Sequence, residues 1–243
     1  ELSTFCPDIQ VISNPIEIVG QTEQNPWPGV RIFYQLIETS EYEKEPHRDE
    51  YLFTLENSQS ILGELIENWF RTEDEASIVL NLYLSTFYRQ RLFLENKYIA
   101  IFQALDTYYA KQFNSKLLSS GEFKTRREKI KNLIYDPSFQ NWVCRGLQNA
   151  NYKPPRVKLE EMFTHFSSIF SDSIDIKTVS KLATHIRNVY SHPSKSEQEK
   201  IEKQTIFDMI CILRYLLESW LLQDLGFPRE YIESKMRPMV ELY

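Results

Sequence analysis

The stretch that decides the fold is TVSKLATHIRNVYSH, residues 178–192, which is followed at once by Pro193. Apolar residues recur in it at three- and four-residue steps, which predicts one amphipathic helix with a stripe of Val179, Leu182, Ile186 and Val189. At about 100° per residue, the opposite side of that helix carries four polar side chains, Lys181, His185, Asn188 and His192. Because proline disfavours helical geometry in the residue before it, the helix is expected to end at His192.

The same periodicity extends in both directions and predicts a mostly α-helical chain from residue 59 onward. Two helices are predicted first: one with an apolar stripe from Ile61 to Trp69, and one at Ile78–Tyr88 that follows a capping box at Thr72 and Glu75. They are followed by a core-facing helix from Leu94 to Tyr108, a basic helix at Glu122–Ile134 and an amphipathic helix at Lys158–Phe170. The last is a long apolar helix at Ile201–Leu225, which begins after a capping box at Ser196 and Glu199 and ends at Gly226 and Pro228. Charged residues interrupt the last of these, which indicates a buried helix and not a membrane span.

Residues 1–58 have a different character. Five prolines divide them, and the charged run 38–50 predicts a loop. Four short strands are predicted, at 10–12, 16–19, 30–34 and 51–55. We therefore predict that 1–58 is the β-rich end of an N-terminal domain. Residues 59–243 then form a helical bundle with its core at about 90–236. Because the chain starts at Glu1 without a methionine, we expect it to be a fragment of a longer protein; removal of a tag is the alternative.

Composition limits the class of protein. A hydrophobic content of 42% favours a folded globule. The three cysteines are widely spaced and match no metal-binding pattern, so a reducing cytoplasm is expected. The six glycines form no phosphate-binding loop, and neither an HExxH motif nor a carboxylate pair is present. We therefore expect no cofactor, no metal site and no membrane association.

The charges are unevenly distributed. A net charge of −6 argues against a general nucleic-acid binder. However, residues 1–60 hold 3 basic and 11 acidic side chains, whereas residues 111–158 hold 11 basic and 3 acidic ones. Aromatic residues lie among these cations, a mixture that can contact RNA, so Arg126 and Arg127 are candidate RNA-binding residues. The alternative is a solvated helix face whose aromatic residues belong to the core.

The end of the 178–192 helix carries the candidate chemistry. Arg187 can hold a phosphodiester by paired hydrogen bonds, and His192 can move a proton near neutral pH. These two functions are sufficient to cut RNA without a metal, because RNA supplies its own nucleophile, the 2′-hydroxyl. Asn188 is an i,i+4 neighbour of His192 and can touch it. The alternative is that His192 only caps the helix and Arg187 is only solvated.

The motif Arg187-Asn-Val-Tyr-Ser-His192 resembles that of the HEPN superfamily of ribonucleases, and more closely the ApeA-like HEPN group linked to anti-phage defence. The resemblance extends to 80–88, 93–105 and the long apolar helix with its Gly226-Phe227-Pro228 ending, and covers about residues 60–236. It implies that Arg187 and His192 are catalytic, with Asn188 as the polar residue after the arginine. It also implies a homodimer in which two motifs line one cleft, and toxin-like cleavage of RNA during phage infection.

The leading hypothesis is therefore a metal-independent endoribonuclease with Arg187, Asn188 and His192 as catalytic residues and Lys181 and His185 as additional RNA contacts. The alternatives are a non-catalytic helical module that binds nucleotide or RNA or dimerises, and a purely structural domain that regulates a missing part of the protein. His47 is expected to be inert and His165 to be a packing residue. Whether Glu95 and Asp106 face the motif is left open by the sequence.

Overall fold

The computed structural model of the chain describes residues 51–88, 92–191 and 201–242. The chain divides into two compact units, Glu1–Leu65 and Ile66–Tyr243. The predicted boundary at residue 58 stays a prediction. The described helices are α1 (Leu55–Ser58), α2 (Leu62–Tyr88), α3 (Leu94–Gln112), α4 (Ser120–Asn132), α5 (Pro137–Gly146), α6 (Pro155–His165), α7 (Ser167–Phe170), α8 (Ile176–Ser191), α9 (Lys203–Asp224) and α10 (Arg229–Val240), with a 3-10 helix at Gln59–Ile61.

In the first unit, the strand predicted at 51–55 is wrong. Residues 51 and 52 form a bend, and α1 begins at Leu55. The Thr54 hydroxyl accepts a hydrogen bond from the Asn57 backbone N–H at 3.4 Å, so a local helix cap overrides the short apolar alternation. The strands predicted at 10–12, 16–19 and 30–34, the loop predicted at 38–50 and His47 all lie outside the described residues.

The helical prediction for the rest of the chain is confirmed over the described residues, with changes at several ends. The two helices predicted around Thr72 run on as α2, but the backbone of Ala76 is not helical (φ −126°, ψ 25°), so a kink separates two helical segments as predicted. The helix predicted at Lys158–Phe170 is divided into α6 and α7, because Phe166 is not helical (φ −104°, ψ 34°). The capping box predicted at Ser196 and Glu199 lies outside the described residues, and α9 begins at Lys203.

The centre of the second unit is α9, which packs most extensively against α3. Fourteen of its residues are buried, around the whole circumference, and this is typical of a helix in the middle of a core. Its C-terminal end turns at Gly226, where φ is 95° and only glycine is unstrained. The Phe227 N–H donates to the Leu222 carbonyl at 3.1 Å and closes the helix, as the glycine predicted.

Around α9 lie α3, α8 and α10, while α6 packs on α3 and α8. Buried tyrosines of α3 donate hydrogen bonds to neighbouring helices: Tyr98 to the Ala183 carbonyl of α8 at 2.5 Å, and Tyr108 to Asp224 of α9 at 2.8 Å. Such bonds satisfy polar groups that would be costly to bury alone and fix how the helices align. Among the described residues, no helix is long and apolar enough to cross a membrane.

A different kind of structure projects between α3 and α6. We call residues 119–150, which include α4 and α5, the arm. The two arm helices have each other as their principal packing partner. At the base of the arm, Lys116 and Tyr152 form an antiparallel bridge, and the buried Asn151 side chain accepts from the Leu118 N–H at 2.9 Å and donates to the Leu118 carbonyl at 3.0 Å. The base is therefore held by hydrogen bonds rather than by a core.

Candidate functional site

The site is built on the second half of α8. The Asp175 carboxylate accepts from the N–H groups of Lys177 and Thr178, at 2.9 and 3.2 Å, and so starts the helix. The apolar stripe faces the bundle, with Ile186 and Val189 buried and Val179 and Leu182 half-buried. The residues on the other side are exposed, namely Lys181, His185 and Asn188. An open polar surface thus runs along α8 towards its last described residue, Ser191.

Arg187 lies at the edge between these two sides and is half-buried. One of its terminal guanidinium nitrogens donates to the Asn188 side-chain oxygen at 3.1 Å. The structure therefore brings Arg187 and Asn188 together. A guanidinium held in this way presents several N–H donors in a fixed plane, which suits the oxygens of a phosphate.

Tyr98 of α3 lies behind Arg187. Its hydroxyl is buried and donates to the Ala183 carbonyl, one helical turn before Arg187. Burial raises the pKa of Tyr98 well above its ordinary value, while the positive charge of Arg187 acts in the opposite direction. The hydroxyl therefore stays protonated at neutral pH and anchors α8 against α3. The sequence pattern identified Tyr98 only as an apolar core position.

Glu95, one turn earlier on α3, also reaches this site. Burial is the first cause of the raised pKa of Tyr190, and the negative charge of Glu95 is the second. The charge of Glu95 therefore acts close to the motif. Asp106, by contrast, pairs with Lys158 of α6 at 2.7 Å, three turns further along α3. Of the two acidic residues that the sequence left open, Glu95 is the one whose charge acts on a residue of the motif, Tyr190.

His192 itself lies outside the described residues, one position after Ser191. Its assignment, with that of Arg187 and Asn188 as catalytic residues, stays a prediction.

His165 has the packing contacts that were expected. Its ring stacks on Trp220 at a centroid distance of 4.3 Å, and its Nε2 lies 2.9 Å from the Gln223 side-chain oxygen.

The remaining candidates, Arg126 and Arg127, lie apart from α8. Both are exposed on α4, within the arm. The arm follows the C-terminal end of α3, whereas Tyr98 is near its N-terminal end. A rise of 1.5 Å per residue separates these two ends of α3 by roughly 20 Å. The base of the arm is therefore remote from Arg187, and α4, which carries Arg126 and Arg127, has α5 and not α8 as its principal packing partner.

In the described part of the chain, no three His, Cys, Asp or Glu side chains cluster as they would around a metal ion. The alternative in which the aromatic residues of the basic stretch belong to the core is wrong, because Tyr135, Phe139 and Trp142 are 96%, 51% and 71% exposed. The cations of that stretch are accompanied by open aromatic rings.

Comparison with known proteins adds one finding to this geometry. No curated protein and no solved structure matches the chain significantly. The family model described as Apea-like HEPN matches residues 99–231, which include most of α3, the arm, α8 with the motif, and α9. HEPN domains are commonly ribonucleases, and the group is associated with anti-phage defence. Since the match covers more than half of the chain, the protein belongs to the Apea-like HEPN family.

Proposed function

We propose that the protein is a metal-independent endoribonuclease whose active site lies at the C-terminal end of α8. The observation that carries the proposal is the placement of Arg187 and Asn188. Their side chains are hydrogen-bonded at 3.1 Å at the edge of the open side of α8, while the buried Tyr98 hydroxyl holds that helix against the core. His192 follows within about one turn of sequence, and the whole motif lies inside the family match.

The proposed reaction needs two groups beyond the RNA itself. The 2′-oxygen attacks the adjacent phosphorus, its proton passes to a base, and the bond from phosphorus to the 5′-oxygen breaks as that oxygen takes up a proton. His192 transfers protons as general base or general acid. Arg187 binds the non-bridging oxygens and stabilises the charge that develops on them. The products are a 2′,3′-cyclic phosphate and a 5′-hydroxyl.

Asn188 has a positioning part in this proposal. Its side-chain oxygen accepts from the Arg187 guanidinium, which restricts the orientation of the phosphate-binding plane. The exposed Lys181 and His185 continue the same side of α8, so they can bind neighbouring phosphates of the strand. A toxin-like part in anti-phage defence is the corresponding biological proposal.

The test is cleavage of RNA in excess EDTA, with identification of the 3′ ends. We expect cleavage to persist and to leave cyclic phosphates. His192→Ala is expected to reduce the rate about 10²–10⁴-fold, the usual contribution of a general acid or base. His185→Ala is the matched control on the same helix and is expected to affect binding more than the rate. Binding of RNA without cleavage by the unchanged chain would favour the non-catalytic module instead.

We also propose that the active form is a homodimer in which two copies of the motif face each other. On an ideal helix, Arg187 and His192 are about 140° apart, so two chains can supply a more complete site than one. Mixing Arg187→Ala subunits with His192→Ala subunits is expected to restore part of the activity. A protein that is monomeric by light scattering and fully active at low concentration contradicts this proposal.

A further inference from the structure

The arm has no buried residue, whereas each described α-helix of the bundle has at least one. Every side chain from 119 to 150 is exposed or half-buried. Nevertheless the arm is ordered by local bonds: the Ser119 hydroxyl and the Glu122 carboxylate form a reciprocal capping box at the start of α4, and Asp136 caps α5. The Gln140 side-chain N–H donates to the Lys131 carbonyl at 2.8 Å and ties the two helices together. The arm is thus a folded surface, and packing in a core does not account for its apolar residues.

The apolar residues of the arm include an open aromatic stack. The rings of Phe139 and Trp142 lie 5.7 Å apart between centroids and are inclined by only 16°. Both rings are more than half exposed, and Tyr135, just before α5, is almost completely exposed. Large aromatic side chains that are exposed together usually mark a binding surface. Flat rings of this kind accept a nucleobase because every base has a π face.

Cations lie on the neighbouring helix of the same arm. Within α4, five basic side chains are all exposed: Lys124, Arg126, Arg127, Lys129 and Lys131. Only two acidic residues accompany them, and one of these, Glu122, is engaged in the capping box. A chain with a net charge of −6 therefore carries a positive helix next to an open aromatic stack. This positive charge favours a polyanion over an apolar protein surface that would bury the same rings.

We propose that the arm is a binding surface for single-stranded nucleic acid, in which bases stack on Phe139 and Trp142 and the α4 cations contact the phosphates. Single-stranded RNA is the occupant, and this choice alone rests on the proposed function. Because the base of the arm is roughly 20 Å along α3 from the Arg187 end, the arm holds a strand that extends beyond the cleaved bond. It therefore determines how tightly long RNA binds, and not how fast the bond is cut.

The experiment measures binding of a fluorescent, unstructured RNA of about 20 nucleotides to the full chain carrying His192→Ala, so that cleavage does not interfere. Trp142→Ala is expected to weaken binding about tenfold or more, the usual effect of removing one stacked base contact. Trp142→Phe keeps a π face and is expected to retain most of the affinity. Leu133→Ala, in the same arm and 76% exposed, removes apolar surface without a ring and is expected to have little effect.

Competition identifies the ligand. Single-stranded DNA of the same sequence is expected to compete nearly as well, because neither contact reads the 2′-hydroxyl. Duplex RNA is expected to compete poorly, because its bases are already stacked. Equal losses for Trp142→Ala and Leu133→Ala, or none for either, overturn the proposal; concentration-dependent self-association that only Trp142→Ala abolishes would show that a second copy occupies the arm. Since no cleavage is measured, these outcomes are independent of whether the proposed reaction is correct.

Discussion

The helices α9 and α5 both carry tryptophan and other large apolar residues, but they place them in opposite environments. Trp220 of α9 is buried and surrounded by the rings of Tyr108, Phe113 and Phe166 at 4.9–5.6 Å. Trp142 of α5 is 71% exposed, and its ring stacks on Phe139, which is itself exposed. The residue types are alike, so composition does not decide burial. What differs is the number of helices that pack around each one.

The difference in burial between the bundle and the arm also suits the two regions to different functions. The bundle around α9 supplies rigid supports, such as the Tyr98 hydroxyl behind Arg187, which a site for bond cleavage requires. The arm supplies exposed rings and exposed cations, which suit binding without a fixed geometry. We expect variants in the two regions to have separable effects, and three predictions test this.

The largest effect is expected from Arg187→Ala. Loss of one group that stabilises developing charge typically lowers kcat about 10²–10³-fold. Arg187 is half-buried and its hydrogen bond goes to the exposed Asn188, so little change in melting temperature is expected. The measurement is cleavage of a dinucleotide, which is too short to reach from Arg187 to the base of the arm. Trp142→Ala is the comparison and is expected to cut the dinucleotide normally; an equal loss in both variants would show that the regions are not separable.

An intermediate effect, on the free energy of unfolding, is expected when a leucine is replaced by alanine once in the bundle and once in the arm. Leu216→Ala removes a completely buried side chain of α9 and is expected to lower the free energy of unfolding by about 2–5 kcal/mol. Leu133→Ala in the arm removes a side chain that is 76% exposed and is expected to change it by less than about 0.5 kcal/mol. Urea denaturation measures both. A large cost at Leu133 would mean that the arm is covered in solution.

The smallest effect is expected at the joint between the regions, where Lys153 contacts both Glu161 of α6, at 2.8 Å, and the Tyr109 hydroxyl of α3, at 2.9 Å. Partial burial raises the pKa of Glu161, but hydrogen bonds from Lys153 and Tyr109 outweigh burial and hold this pKa below its ordinary value. A lowered pKa in the folded chain stabilises it above the ordinary value of about 4.3, and this stabilisation is lost as the pH falls through the lowered pKa.

Glu161→Gln is therefore expected to lower the free energy of unfolding by less than about 1 kcal/mol at pH 7, because the pair is partly exposed. The difference from the unchanged chain should shrink as the pH falls below the ordinary value of about 4.3 and disappear once the pH has passed the lowered pKa. Glu160→Gln is the control, since Glu160 pairs with Arg156 within α6 only. If the loss of stability in Glu161→Gln does not depend on pH, packing and not charge holds the contact between Lys153 and Glu161.

Much of the bundle could be predicted from the sequence, because its helices carry strong periodic signals. The α8 stripe, the buried α9 and its glycine stop all follow from residue spacing and from the conformational freedom of Gly226. Local competition explains the errors. Thr54 caps a helix where an apolar alternation predicted a strand, and Phe166 interrupts what periodicity predicted to be one helix.

The site was predicted in part. The motif on α8 named Arg187 and Asn188 directly, because their chemistry and spacing are visible in the sequence. Tyr98 and Glu95 could not be assigned to it, because they come from α3, some ninety residues earlier, and only the packing of α3 against α8 brings them to the motif. Asn151 gave no signal at all, since its two bonds to Leu118 exist only when the base of the arm is closed.

The sequence by itself thus determined most of the helices, the burial of α9 and the residues that can bind a phosphate and transfer a proton. These are local or periodic properties, which each segment carries wherever it lies in the fold. Only the tertiary structure decided that Tyr98 and Glu95 belong with Arg187, that α4 with Arg126 and Arg127 packs mainly on α5, and that Phe139 and Trp142 are exposed. The physical reason is that burial and proximity depend on which helices pack together, and such long-range contacts leave no mark in the spacing of any one segment.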